Sequence, residues 1–203
     1  MKTTYLASAC LALGLATSAG AAPVQWTSAS GGNDHWYEVI WAHANLTWNQ
    51  ANAAAQSLVH DGETGYLASI TSAAEQAFLN GVNNAFTTAS SSHHGTYVTA
   101  WIGANDAAVD GAFEWTSGEA FGYSNWAGGE PNNWGGDEDY VQGWWSGDDW
   151  NDAGLYSTLQ KYVVEYDSAT NNNTNPVPVP ASLPMALAGF GVMAWIGRRR
   201  KKA

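Results

Sequence analysis

Seven carboxylates, Glu130, Asp137, Glu138, Asp139, Asp148, Asp149 and Asp152, crowd between Gly129 and Asp152 with no Lys or Arg among them. They fall in two runs, GEPNNWGGDEDY and DDWND. A stretch this acidic and this rich in Gly and Asn has few places in a fold, because it suits neither a helix interior nor a central strand and belongs on a loop. Calcium takes about six to eight oxygen ligands from carboxylates, amide carbonyls, backbone carbonyls or water. The two runs offer that inventory.

The sequence around them alternates between two periodicities. Thr47-x-x-Gln50 and Ser72-x-x-Glu75 read as capping boxes that open two helices. Ala51, Ala55 and Leu58 form the apolar stripe of the first, and Ala74, Phe78 and Val82 that of the second. Strands are expected at YEVIWA, GYLASI, YVTAWIGA, AFEWTS, DYVQGWW and KYVVEY, where β-branched and aromatic residues lie between Gly, Asp and Asn. Two helices beside an antiparallel sheet, with a long polar region between late strands, predict an α+β domain whose function sits on a loop. Trp101, Trp115, Trp126 and Trp150 are expected in its core. At least one of Trp144 and Trp145 should also pack inward, since neighbours on a strand face opposite sides, and the pair could extend a binding surface.

Both ends carry processing signals. Lys2, an apolar run from Tyr5 to Ala16 and the small residues Ala19-Gly20-Ala21 have the layout of a secretory signal peptide, cleaved after Ala21. The only cysteine, Cys10, lies within that run, so no disulfide can form within the chain. A domain of this length buries a sufficient core without one. At the other end, residues 171–180 are polar and Pro-rich, and residues 181–203 hold an apolar stretch followed by Arg198, Arg199, Arg200, Lys201 and Lys202. Ala181 to Gly197 as a helix would span about 26 Å, the short limit for a bilayer, with the basic cluster on the cytoplasmic side. This tail resembles a PEP-CTERM sorting signal of the Val-Pro-x-Pro-Ala type. The resemblance implies an exosortase as partner, transient residence in the inner membrane of a Gram-negative bacterium, and delivery to the cell surface or extracellular matrix. Left uncleaved, the same segment would act as a membrane anchor.

Between residues 22 and 170, Lys161 stands alone against 18 acidic residues, for a net charge near −17. That balance argues against nucleic acid and anionic membranes as partners and favours cations. Scattered acids such as Glu63, Glu75 and Glu119 read as solubilising surface. His93 and His94 sit in a Ser/Thr-rich loop without metal-ligand spacing, and His35, His43 and His60 read as structural or exposed.

Trp101-Ile102-Gly103, Glu130-Pro131-Asn132 and Trp150-Asn151-Asp152, in that order, with WNQANAAAQSL before them and YVVEY after, resemble a C-type lectin-like domain from end to end. The resemblance implies a calcium site that binds sugar through Glu130, Asn132, Glu138, Asn151 and Asp152, with a cis bond before Pro131. It implies a second calcium site from Asp106, Asp110, Asn133 and Asp139 together with Glu138, weakened because Asn133 replaces the usual Asp. Glu-Pro-Asn implies mannose-like ligands, whereas Trp134 lies where galactose-selective members stack a ring. The ion ligands set hydroxyl geometry directly, so mannose-type binding is favoured. Ala55 and Val164 stand where the family pairs its first helix with its last strand through cysteines, and Tyr140 where a second bridge would begin. The readings are therefore a calcium-dependent binder of a glycan or exopolysaccharide, a non-sugar adhesion or protein-interaction domain of the same fold, or a glycosidase using two of the acids. No dedicated acid and nucleophile pair supports an enzyme.

Overall fold

Thr47 starts the first helix as its side chain predicts. Its hydroxyl accepts from Gln50 N at 3.4 Å, while Gln50 Oε1 accepts from Thr47 N at 3.0 Å, so the capping box closes on α1 (Trp48–Ala55). The computed structural model describes residues 19–94 and 99–169. The expected signal segment up to residue 18, the linker and the apolar C-terminal stretch lie outside them. No helix among the described residues is long and apolar enough to cross a membrane.

Before α1 run β1 (Ala19–Gly20), β2 (Val24–Gln25) and β3 (Trp36–Leu46). After it come β4 (Val59–His60), β5 (Glu63–Thr64), β6 (Tyr66–Leu67), α2 (Ala73–His94), β7 (Ala100–Asn105) and β8 (Glu114–Trp115), then β9 (Tyr140–Gly143), β10 (Asn151–Ala153) and β11 (Leu159–Tyr166). Among the described residues the main sheet has the order β1-β3-β11-β7-β9-β10, with β2 on β3, β6 on β11 and β8 on β7. The sheet is mixed and not purely antiparallel as expected, because β11 runs parallel to β7, with Tyr162 opposite Trp101. Parallel neighbours need a long connection. Residues 106–158, which carry the acidic runs, provide it.

Alternate residues of β11 serve different helices. Val163 packs with Leu79 and Phe86 of α2, whereas Tyr162, Val164 and Tyr166 pack with Ala51 and Ala55 of α1. Ala55 and Val164 are both fully buried in one cluster, so apolar contact fills the place where the family's cysteines would be. Trp101, Trp115 and Trp150 are buried, and the partly buried Trp126 packs against the cluster that holds Trp115 and Trp150, as expected.

The second helix departs from its expected stripe. Its buried face holds Glu75, Gln76, Leu79, Asn83 and Phe86; Phe78 and Val82 are half-buried and Ala74 is exposed. The helix also runs to His94, through the segment expected to be a loop. Glu75 is not a surface acid. Its N–H donates to Ser72 Oγ at 3.1 Å, as a cap requires, but its carboxylate accepts from Thr71 N at 2.7 Å, from Thr71 Oγ1 at 2.8 Å and from the buried Tyr37 hydroxyl. Apolar surroundings admit a carboxylate only with such partners.

Candidate functional site

The polar side of α2 fixes where the acidic loops sit. Gln76 Oε1 accepts from Trp150 Nε1 at 2.8 Å, and Asn80 Oδ1 accepts from Trp144 Nε1 at 2.9 Å. Trp150 holds the neighbouring segment through its backbone, donating to Asn125 O at 2.7 Å and accepting from Ala127 N at 2.8 Å. Three residues beyond Ala127, the Glu130–Pro131 bond is cis, as the motif implied.

Two segments then meet. On β10, Asn151 pairs with Gln142 and Asp152 with Val141 of β9. The Asp152 carboxylate, 1% exposed, accepts from Asn132 N at 3.2 Å and from Asn133 N at 2.8 Å. Asn133 adopts a left-handed φ of 44°, Trp134 N donates to Glu138 Oε2 at 2.7 Å, and Glu138 N donates to Asn133 Oδ1 at 3.1 Å. Glu130, Asn132, Glu138 and Asn151 consequently line one cavity of about 450 Å³, beside the ring of Trp134. Asp152 does not line it. Its oxygens hold the loop from beneath.

The electrostatics are one-sided. Burial, the hydrogen-bonded carboxylate of Asp152 and the charge of Glu138 hold Glu130 above the usual carboxylate range. Burial, then the charges of Asp152 and Asp137, raise Glu138. Glu130 Oε2 is buried without a hydrogen-bond partner. Oxygen donors that repel one another and leave a buried oxygen unsatisfied fit a hard cation such as calcium.

The second expected set is also gathered. Asp106 N donates to Asp139 O at 3.0 Å, Asn133 Nδ2 donates to Asp110 Oδ1 at 2.8 Å, and Asp106 Oδ2 accepts from Gly111 N at 2.7 Å. Burial and then the charges of Asp139 and Asp110 raise Asp106, whose Oδ1 is buried without a partner. Among the described residues, however, no three Asp, Glu, His or Cys side chains converge as a ready-made metal cluster.

Trp144 is buried and Trp145 is 53% exposed, so one of the pair packs inward as expected. Sequence reasoning missed Gln142, Ser157, Thr158 and Leu159, which also line the cavity. No motif marks them as lining residues; Gln142 enters from β9, opposite Asn151 of β10, and residues 157–159 enter where the chain leaves β10 and begins β11.

The family model for the lectin C-type domain matches residues 44–164. The chain belongs to the C-type lectin family. That family is non-enzymatic, in line with the absence of a catalytic pair from the sequence. A PEP-CTERM protein-sorting motif matches residues 176–201. The low affinity immunoglobulin epsilon Fc receptor of Mus musculus is 40% identical over 118 residues, 58% of this chain and 30% of the receptor, so this C-type lectin chain spans under a third of that protein. Lectin BRA-3 of Megabalanus rosa is 35% identical over 133 residues, covering 59% of the chain and 72% of that lectin. The crystal structure of the C-type lectin CEL-I from Cucumaria echinata aligns with a TM-score of 0.54 and 31% identity, over 66% of this chain and 91% of CEL-I.

Proposed function

We propose that this C-type lectin is a calcium-dependent carbohydrate-binding protein with mannose-type preference, exported and sorted to the cell surface or extracellular matrix of a Gram-negative bacterium. One observation carries the reading: side chains from the Glu130–Glu138 loop and from β10 share a single cavity whose polar groups are carboxylates, amides and the hydroxyls of Ser157 and Thr158, with no Lys, Arg or His among its lining residues. Glu130, Asn132, Glu138 and Asn151 would hold calcium from the cavity wall, with Asp152 contributing from below and Asp106, Asp110, Asn133 and Asp139 forming a second set. Calcium supplies a hard cationic centre with positions left open for sugar hydroxyls.

The chain's own residues do the rest. Carboxylates accept the hydroxyl protons of a sugar, and the amides of Asn132 and Asn151 donate to its oxygens, a division of labour that Lys or Arg could not supply. Asp152 keeps Asn132 and Asn133 in place through their N–H groups. Trp134, 79% exposed at the rim, offers an apolar ring to the less polar face of a pyranose. The PEP-CTERM motif supports exosortase as the processing partner and transient passage through the inner membrane. The Mus musculus relative is named as an immunoglobulin receptor, and that name supports the runner-up, an adhesion or protein-interaction domain.

The test is a panel of mannose, glucose, N-acetylglucosamine and galactose glycans, probed with the purified protein in calcium and then in excess chelator. Binding led by mannose-type glycans, abolished by chelator and restored by added calcium, is the expected result. Binding untouched by chelator would remove calcium from the reading, and binding to no glycan would leave the protein-interaction alternative.

A further inference from the structure

A second cavity, of about 410 Å³, adjoins the first and shares Trp145, Thr158 and Leu159 with it. Its origin is a fault in the sheet. Leu159 of β11 pairs with Leu46 of β3 and Lys161 with Trp41, so five steps along β3 match two along β11. The surplus residues bulge out, with His43 at a left-handed φ of 54°. Bulges commonly end regular pairing beside binding sites and re-aim the side chains around them. Here the bulge leaves a hollow walled by Trp41, Asn45, Thr99, Gln160 and Lys161, in addition to the shared residues.

The chemistry of that wall differs from that of the first cavity. It has no carboxylate; it combines indole rings with amide and hydroxyl groups and with Lys161, the only Lys or Arg between residues 22 and 170. Rings with a few well-placed amides and hydroxyls suit a pyranose, whose ring carbons stack while its hydroxyls are hydrogen-bonded. Such a wall would not hold calcium. Trp145, half-exposed between the two cavities, gives them a common ring face.

We propose that the second cavity is a subsite for the sugar units that follow the one held in the first, so that the protein recognises an oligosaccharide chain and not a single terminal residue. The inference rests on the carbohydrate-binding reading above. The sugar in the first cavity is fixed by the carboxylates and amides of the Glu130 loop, and the chain continues past Trp145 and Thr158 toward Asn45 and Gln160. Asn45 is exposed and Gln160 half-buried, and neither lines the first cavity, so both are replaceable without touching it.

Isothermal titration in calcium tests this, using the methyl glycosides of mannose, glucose and galactose and a linear trisaccharide of each. For the sugar that binds, the trisaccharide is expected to bind at least about ten-fold more tightly than its methyl glycoside. In the double variant Asn45→Ala, Gln160→Ala that ratio should fall below about three-fold, with the methyl glycoside affinity within two-fold of wild type. Equal affinity for the methyl glycoside and trisaccharide in the wild type, or an undiminished ratio in the variant, would overturn the subsite and leave the first cavity standing. Failure of all six probes to bind would instead reject the carbohydrate reading on which the subsite depends.

Discussion

Glu165 lies on the last strand with no solvent at all, and its partners explain why an acid is tolerated there. Its Oε1 accepts from His35 Nδ1 at 2.7 Å and from the Tyr37 hydroxyl at 3.1 Å, and its Oε2 accepts from Ser69 N at 2.9 Å. Burial nonetheless pushes its carboxyl up to about 7 from an ordinary 4.5, against the pull of the His35 hydrogen bond. Burial alone would lower His35, but the hydrogen bond to Glu165 and the charges of Glu165 and Asp167 outweigh it and leave the ring raised. Both groups therefore hold a proton more tightly in the folded state than in the unfolded chain. For a raised pKa, the stabilisation is complete below the unfolded value and is lost as the pH climbs through the folded one. In chelator, the urea midpoint should drop as pH rises from about 4.5 to about 7 and beyond. Glu165→Gln should be less stable at pH 5 but show a shallower slope, and an unchanged slope would exclude Glu165 as its source. None of this was visible in the sequence. Glu75 and Glu165 each occupy a position compatible with solvent, and only the approach of β3, α2 and β11 buries them together.

Among the elements, β7 shows what a legible motif meant physically. Trp101 Nε1 donates to Leu46 O at 2.9 Å, and Ile102 O accepts from Trp48 Nε1 at 2.7 Å. Gly103 N donates to Ala68 O at 2.8 Å. A Cβ on Gly103 would stand 2.3 Å from Leu67 O, a backbone atom that cannot rotate aside. Gly103→Ala should therefore destabilise the domain by about 3 kcal/mol, the upper range for overpacking, because β6 and β7 must separate. Urea denaturation measures it, and a loss below about 1 kcal/mol would show that the strands yield easily. The same motif, the closed capping box at Thr47, the cap at Ser72 and the strand segments were readable because each is set by local chemistry; the reciprocal half of the Ser72 box was not, since the Glu75 carboxylate turns to Thr71. The parallel pairing of β11 with β7 and the run of α2 to His94 were not, since both depend on what lies across the sheet. At the site the division is similar. The ligand-type residues of the acidic loops announced themselves, whereas Ser157, Thr158 and Leu159 joined the cavity through topology alone.

For the whole molecule, the gathered carboxylates predict a stability that depends on calcium. Any ion that binds only the folded chain stabilises it by mass action, by about 2.7 kcal/mol at a hundred times its Kd. The melting temperature should climb with free calcium and return to its starting value in chelator, and a temperature indifferent to calcium would argue against ion binding by these loops. Nothing covalent competes with that effect. Ala55 and Val164 lie in one buried apolar cluster where the family resemblance implied a cysteine pair, and Cys10 precedes the described residues. Disulfide formation and reshuffling take seconds to hours. A polypeptide closed by hydrocarbon contact alone skips that wait. Its folding needs no thiol oxidase or disulfide isomerase, and a reducing environment would leave the folded product intact.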